Sequence, residues 1–301
     1  MNVARYKYHF FILPIALILL SGGALLKWGL HAGIDLSGGS LLEVSYSDKR
    51  PSVEKVHEIV APLNFGEVRV QPTKEHNYIL RQRDLTPAEK STLLEKLGSF
   101  GKVEEVQFNS VGPSIGKELY RKAWIALTLV TLSIIIFIAF VFRHVSKPVA
   151  SWKYGVVAIV TLLHDIILPA GLFAYLGYAR GAEVDALFIV ALLTVLGISI
   201  NDTIVVFDRI RENLRLNIDK NKREEFGALI GRSVTQTIAR SINTSLTVII
   251  VLVALFYVGP ASTKDFALTL IIGMIAGTYS SIFLAAPLLA AIEEWQSKRS
   301  A

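Results

Sequence analysis

The sequence contains no cysteine in 301 residues. Disulfides and thiolate-bound metals are therefore excluded. Histidine is scarce as well: of the six, five stand alone, and His164 has a carboxylate beside it but no second histidine at ligand spacing. No metal site and no cofactor are expected. Charge is the deeper shortage. Charged residues make up 19% of the chain and hydrophobic ones 52%. Charge is absent from Ala123–Phe142, Ser241–Val258 and Phe266–Ile292, runs of 20, 18 and 27 residues. A bilayer core about 30 Å thick needs about 20 apolar residues of helix, so these runs exclude an ordinary soluble protein. Mean hydropathy is +0.49.

Three further spans complete a set of six. Phe10–Leu26 follows Arg5 and Lys7 and lacks a small-x-small cleavage site, so it reads as an uncleaved anchor. Tyr154–Tyr178 is apolar except for His164 and Asp165, and Ala186–Phe207 except for Asn201 and Asp202. With a cytoplasmic N-terminus, the inside segments are the N-tail, 143–153, 208–240 and the C-tail. They hold fifteen Lys and Arg, whereas the two short outside loops hold one each, Arg180 and Lys264. This is a strong positive-inside bias, with both termini cytoplasmic. Most of the net charge of +6 is thereby topological, and no nucleic-acid partner is expected.

Residues 31–121, between the first and second spans, read as a folded domain. "SLLEVSY", "EVRVQ", "NYILRQ" and "VEEVQFN" alternate as strands. Pro51–Leu63 reads as an amphipathic helix. "TPAEKSTLLEKL" has Thr86 as N-cap, Pro87 at the first helical position and Glu89 closing a capping box. The order is β-α-β-β-α-β, the split or ferredoxin-like arrangement. The expected fold is a six-helix membrane bundle with this α+β domain inserted outside the cytoplasm between helices 1 and 2. The divisions are 1–30, 31–121 and 122–301. The domain has no nucleophile–base pair, paired carboxylates or phosphate loop, so the chain is not expected to be an enzyme. A module that contacts a protein or peptide is the simpler reading.

Glycines bracket the domain. Gly33, Gly38 and Gly39 lie on one side, and Gly112, Pro113 and Gly116 on the other. They read as hinges. In the last span Gly273 and Gly277, four apart, with Ser280 and Ser281, read as a packing face for close helix approach.

Polar residues within lipid-facing sequence are the remaining anomaly. An ionisable side chain at mid-span costs at least about 2.5–3.5 kcal/mol and so faces protein or water. Asp165 is near the middle of its span. Asp202 is six residues from Asp208, about 9 Å along a helix. Arg240 opens the fifth span at a similar depth. Burial favours a protonated acid, while a nearby guanidinium favours the carboxylate, so Asp202 with Arg240 reads as a proton or ion relay. Asp165, His164 and Asn201 are further candidates for it. A fixed polar clamp without titration is the plainer alternative.

The blocks "GIDLSGG", "VGPSIG", "LLHD", "LLTVLGISINDTIVVFDRIREN", "ARSINTSLT" and "GTYSSIFLAAPL" occur in order along nearly the whole chain. Together they resemble the SecF family, relatives of the resistance-nodulation-division exporters. Leu36 and Ile198 depart from its usual Phe and Tyr. The resemblance implies a component driven by the proton gradient, or by sodium in some members, that promotes late steps of polypeptide export through the SecYEG channel of the bacterial inner membrane. It implies a SecD-like partner, with YajC and YidC as associates, exported polypeptide as substrate, and Asp202 and Arg240 as the membrane-embedded pair. A self-contained small-molecule exporter is the competing reading, and a passive scaffold a third.

Overall fold

The computed structural model describes residues 3–48, 50–73, 75–142, 150–222 and 224–300. Most of the expected inside loop at 143–153 lies outside the described residues. The chain divides into two compact units. One comprises Met1–Leu30, Ala126–Ala182 and Leu187–Ala301; the other comprises His31–Ile125 with Glu183–Ala186.

The smaller unit holds a four-stranded antiparallel sheet. After a one-turn helix α2 (Ile34–Ser37) come β1 (Gly39–Tyr46), α3 (Val53–Val60), β2 (Arg69–Thr73), β3 (Asn77–Gln82), α4 (Pro87–Leu97) and β4 (Val103–Val111). The strand order is β2-β3-β1-β4. Leu42, Val44, Tyr46, Tyr78 and Leu80 turn one face of the sheet onto Val56, Val60, Leu93 and Leu97 of the two helices. The period-2 alternation of β1 and β3 sets that face. Glu183–Ala186, between the third and fourth spans, which the sequence reading treats only as a short loop, also belongs here. Val184 bridges Ala32 in parallel, and Glu183 pairs with Arg81 at 2.9 Å.

The expected start of α4 is present. Thr86 Oγ1 accepts the Glu89 N–H at 3.3 Å, and the Glu89 carboxylate accepts the Thr86 N–H at 2.8 Å. The Arg83 guanidinium and this cap hold the Glu89 carboxyl down at about 2, below its ordinary 4.5. A depressed carboxyl contributes stability that is present above its unfolded value and lost as pH falls through the folded one. The protection of the α4 amides against exchange, relative to the intrinsic rate at each pH, is therefore expected to fall on acidification from about pH 5 toward 2. Glu89→Gln should flatten that response; an unchanged acid profile would place its source elsewhere.

The larger unit is helical. Its helices are α1 (Val3–Trp28), α5 (Pro113–Val141, entering from the smaller unit), α6 (Ser151–Arg180), α7 (Ala186–Asp219), α8 (Phe226–Val258), α9 (Ala261–Ser280) and α10 (Ala286–Ser300). A π-helical turn, Ser281–Ala285, joins the last two. Six stretches are long and apolar enough to cross a membrane: Phe10–Trp28, Pro113–Val141, Trp152–Arg180, Ala186–Asp219, Phe226–Val258 and Thr263–Gln296. The helices outrun the apolar runs. Past Phe207, α7 continues because Asp208–Arg211 and Arg209–Glu212 pair at 2.8 and 2.6 Å, one turn apart. The stretch 208–240 is therefore mostly two helix ends, turned at Asn221 with φ 49°. Lys153, counted by sequence as an interfacial loop charge, sits in α6, buried against Glu293 of α10.

Candidate functional site

Two carboxylates are buried in the larger unit. Asp165 of α6 is fully buried. Its Oδ1 accepts from His164 Nδ1 at 2.8 Å. Its Oδ2 accepts from Ser199 of α7, and from Ser280 of α9 at 2.8 Å. Neighbouring positions on a helix point about 100° apart, yet the His164 and Asp165 side chains bend together and bond each other. Pro169, four residues on in α6, has no N–H for the Asp165 carbonyl, which leaves the helix locally open there.

Asp202 of α7 is 5% exposed. Ser245 of α8 donates to its Oδ2 at 3.4 Å. Ser245 also bonds Thr278 of α9, and Thr278 donates to the Met274 carbonyl at 2.9 Å. Each hydroxyl here can donate or accept. When Asp202 is ionised, Thr278 donates to Ser245 and Ser245 to the carboxylate. When it is protonated, the direction reverses and Thr278 donates its hydrogen bond to the Met274 carbonyl. Both protonation states can be hydrogen-bonded without moving a backbone atom.

Arg240 is exposed on α8, five residues before Ser245, and forms no direct ion pair with Asp202. It acts on the carboxylate through space only. Asn201 is exposed and does not enter the site. Tight packing explains how α7 and α9 share hydroxyls. A Cβ on Gly273 would come within 2.1 Å of Val195, and one on Gly277 within 3.0 Å of Ser199. Among the described residues, Ser281 bonds only the Thr278 carbonyl.

The bracketing glycines are closely packed. Gly38 and Gly39 have φ of 78° and 132°. A Cβ on Gly38 would lie 2.7 Å from Pro113 Cα, and one on Gly39 2.6 Å from the Gln82 carbonyl. Gly33 donates its N–H to the Val184 carbonyl at 2.9 Å. Pro113 and Gly116 are in the first turn of α5 rather than in a loop, and a Cβ on Gly116 would meet Gly38 N at 2.5 Å. Gly112 has open space around it.

The family model "Protein export membrane protein SecD/SecF, C-terminal" matches residues 90–295. The protein translocase subunit SecF of Thermobaculum terrenum is 40% identical over 99% of this chain and 94% of its own length. The chain belongs to the SecF family. A crystal structure of SecDF from Thermus thermophilus, described as a translocon-associated membrane protein, is 29% identical with a TM-score of 0.84 over 99% of this chain. The chain spans 39% of that SecDF polypeptide. A second SecDF crystal structure, in a super-membrane-facing form, is also 29% identical but has a TM-score of 0.70 over the whole of this chain.

As a SecF-family protein with six candidate spans, the chain is a multi-pass membrane protein. Sequence reasoning assigned no chemistry to Ser199, Ser245, Thr278 or Ser280. A signal was present: small hydroxyl residues recur in otherwise apolar spans. Small residues are also what close packing selects, and that reading masked the second role.

Proposed function

We propose that this SecF-family chain is an accessory subunit of a protein translocase, and that it uses the proton gradient, or a sodium gradient, to promote late steps of polypeptide export. The observation that carries the reading is Asp202: a carboxylate buried in a span, bonded to a hydroxyl chain that serves it charged or neutral. A static clamp needs only one of those states. A bare charge at that depth is costly, and a bound proton removes it. Arg240, always charged, tunes the site from a distance and favours release when it approaches. The function is transport rather than catalysis.

A SecD-like subunit is the expected partner. SecDF structures match with this chain covering about two-fifths of their length, so the remainder corresponds to a second part. The SecYEG channel, with YajC and YidC, completes the assembly in this reading. The β-α-β-β-α-β unit is a ferredoxin-like domain outside the inner membrane. Both termini are cytoplasmic, as the basic residues favour. In this reading the domain shifts about its glycine-lined joints while holding the exported chain.

Co-purification from membranes in mild detergent tests the assignment. A SecD-like chain and channel subunits are expected in the eluate, with both termini labelled only from the cytoplasmic side. Recovery of the chain alone, or an external C-terminus, would overturn it.

A further inference from the structure

We propose that His164 and Asp165 form a second proton-holding site, worked by the same helix pair as Asp202. The inference rests on the reading of α7 as the gradient-coupled helix. Its own evidence is geometric.

His164 is fully buried, and its Nε2 has no hydrogen-bond partner among the described residues. Buried polar atoms are rarely left so. The Nδ1 bond to the Asp165 carboxylate sets the tautomer. An ionised carboxylate only accepts, so Nδ1 carries the hydrogen and Nε2 presents its lone pair. The open nitrogen is thus the basic one. A proton taken from water onto Nε2 turns the site from a lone carboxylate into an imidazolium–carboxylate pair with no net charge. Returned to water on the other side, it restores the starting state, and no other reactant is needed.

Ser280 is built to follow either state of Asp165. Its hydroxyl is 2.8 Å from Asp165 Oδ2 and 3.1 Å from the Gly277 carbonyl. Donating to the carboxylate suits the ion. Turning to Gly277 lets Ser280 accept from a protonated acid, as Thr278 does with Met274 for Asp202. The two sites also share their moving parts. Ser199 and Asp202 are one turn apart on α7, and Thr278 and Ser280 are two apart on α9. The π turn Ser281–Ala285 begins directly after Ser280. Such turns accompany functional sites in helices, and this one supplies slack where α9 meets both carboxylates. A displacement of α7 along α9 would reset the partners of Asp165 and Asp202 together.

Among the described residues, few charges bear on the pair. On the helices around it, Asp202 of α7 and Arg240 of α8 are the charged groups within the span. Lys27 of α1, the Lys153–Glu293 pair of α6 and α10, and the Arg180–Asp265 pair of α6 and α9 stand at helix ends.

The test replaces His164→Gln in the full chain, in membranes that carry its partners, with Asp202→Asn in parallel. Gradient-dependent export is expected to fall at least about tenfold in His164→Gln, the low side of what a positioned proton-transfer group contributes. Infrared difference spectra of the wild-type complex should show a buried imidazole changing ionisation as the gradient is applied, and His164→Gln should lose that band. If His164→Gln exports normally while Asp202→Asn does not, this proposal fails and the function stands. If neither variant loses the gradient response, the functional reading fails too. Should His164→Gln not assemble, the wild-type spectrum decides: no gradient-linked histidine band overturns the second site.

Discussion

Asp202→Asn is expected to abolish gradient-dependent export while the chain still inserts and binds its partners. The substitution keeps the shape and removes the ionisable oxygen. Asparagine can still bond Ser245, so the contact from α7 to α8 and on to Thr278 survives. What disappears is the alternation between a charged acceptor and a neutral donor, and with it the reason for the hydroxyl chain to reverse. Loss of a proton-transfer group in a driven cycle costs on the order of 10²-fold or more. Asp202→Glu keeps the acid but moves it outward by a methylene, and is expected to retain part of the activity. Export measured in inverted vesicles, with and without an uncoupler, reads the effect. If Asp202→Asn exported normally and still responded to the uncoupler, Asp202 would be a fixed clamp.

How much of this was legible in the sequence depended on how local each feature is. The strands of the small unit follow from period-2 alternation, and the start of α4 from Thr86, Pro87 and Glu89 within four residues. Six spans follow from uncharged length. Asp202 and Asp165 were legible because a carboxylate in an apolar run is an anomaly by itself. Their partners were not. Ser199, Ser245, Thr278 and Ser280 come from three helices, and their side chains converge only after packing. Arg240 was legible only by depth: the residue is exposed and makes no direct ion pair with Asp202, and depth along two helices says nothing of rotation about them. The glycines near the small unit read as flexible because local sequence shows freedom of φ. What the fold adds is crowding: Gly38 and Gly116 are needed where α2 meets the first turn of α5.

Glu293→Ala is expected to destabilise the helical unit by about 3–5 kcal/mol, the range for stripping one partner from a buried ion pair. Lys153 is 2% exposed, and its ammonium is held by the Glu293 carboxylate between α6 and α10. Tyr154 beside it has a buried hydroxyl with no partner among the described residues, and it offers the ammonium no charge in return. Removing Glu293 therefore leaves a cation without a counter-charge in a packed interface. The Tyr154 ring is itself engaged, parallel to Phe142 at 4.9 Å and edge-on to Phe207 at 5.1 Å. Replacing both partners by apolar residues of similar volume, Lys153→Met with Glu293→Met, removes the charge together with its need for a partner. That double variant is expected to lie within about 1–2 kcal/mol of the wild type, since well-packed apolar pairs often equal or surpass buried ion pairs. Thermal unfolding of the purified chain in detergent, followed by loss of helicity, compares the three. If Glu293→Ala melts with the wild type, Lys153 has found water, and the pair does not join α6 to α10. If the double variant is as weak as Glu293→Ala, the pair contributes more than the relief of a buried charge, and the fastening is a property of the ions themselves.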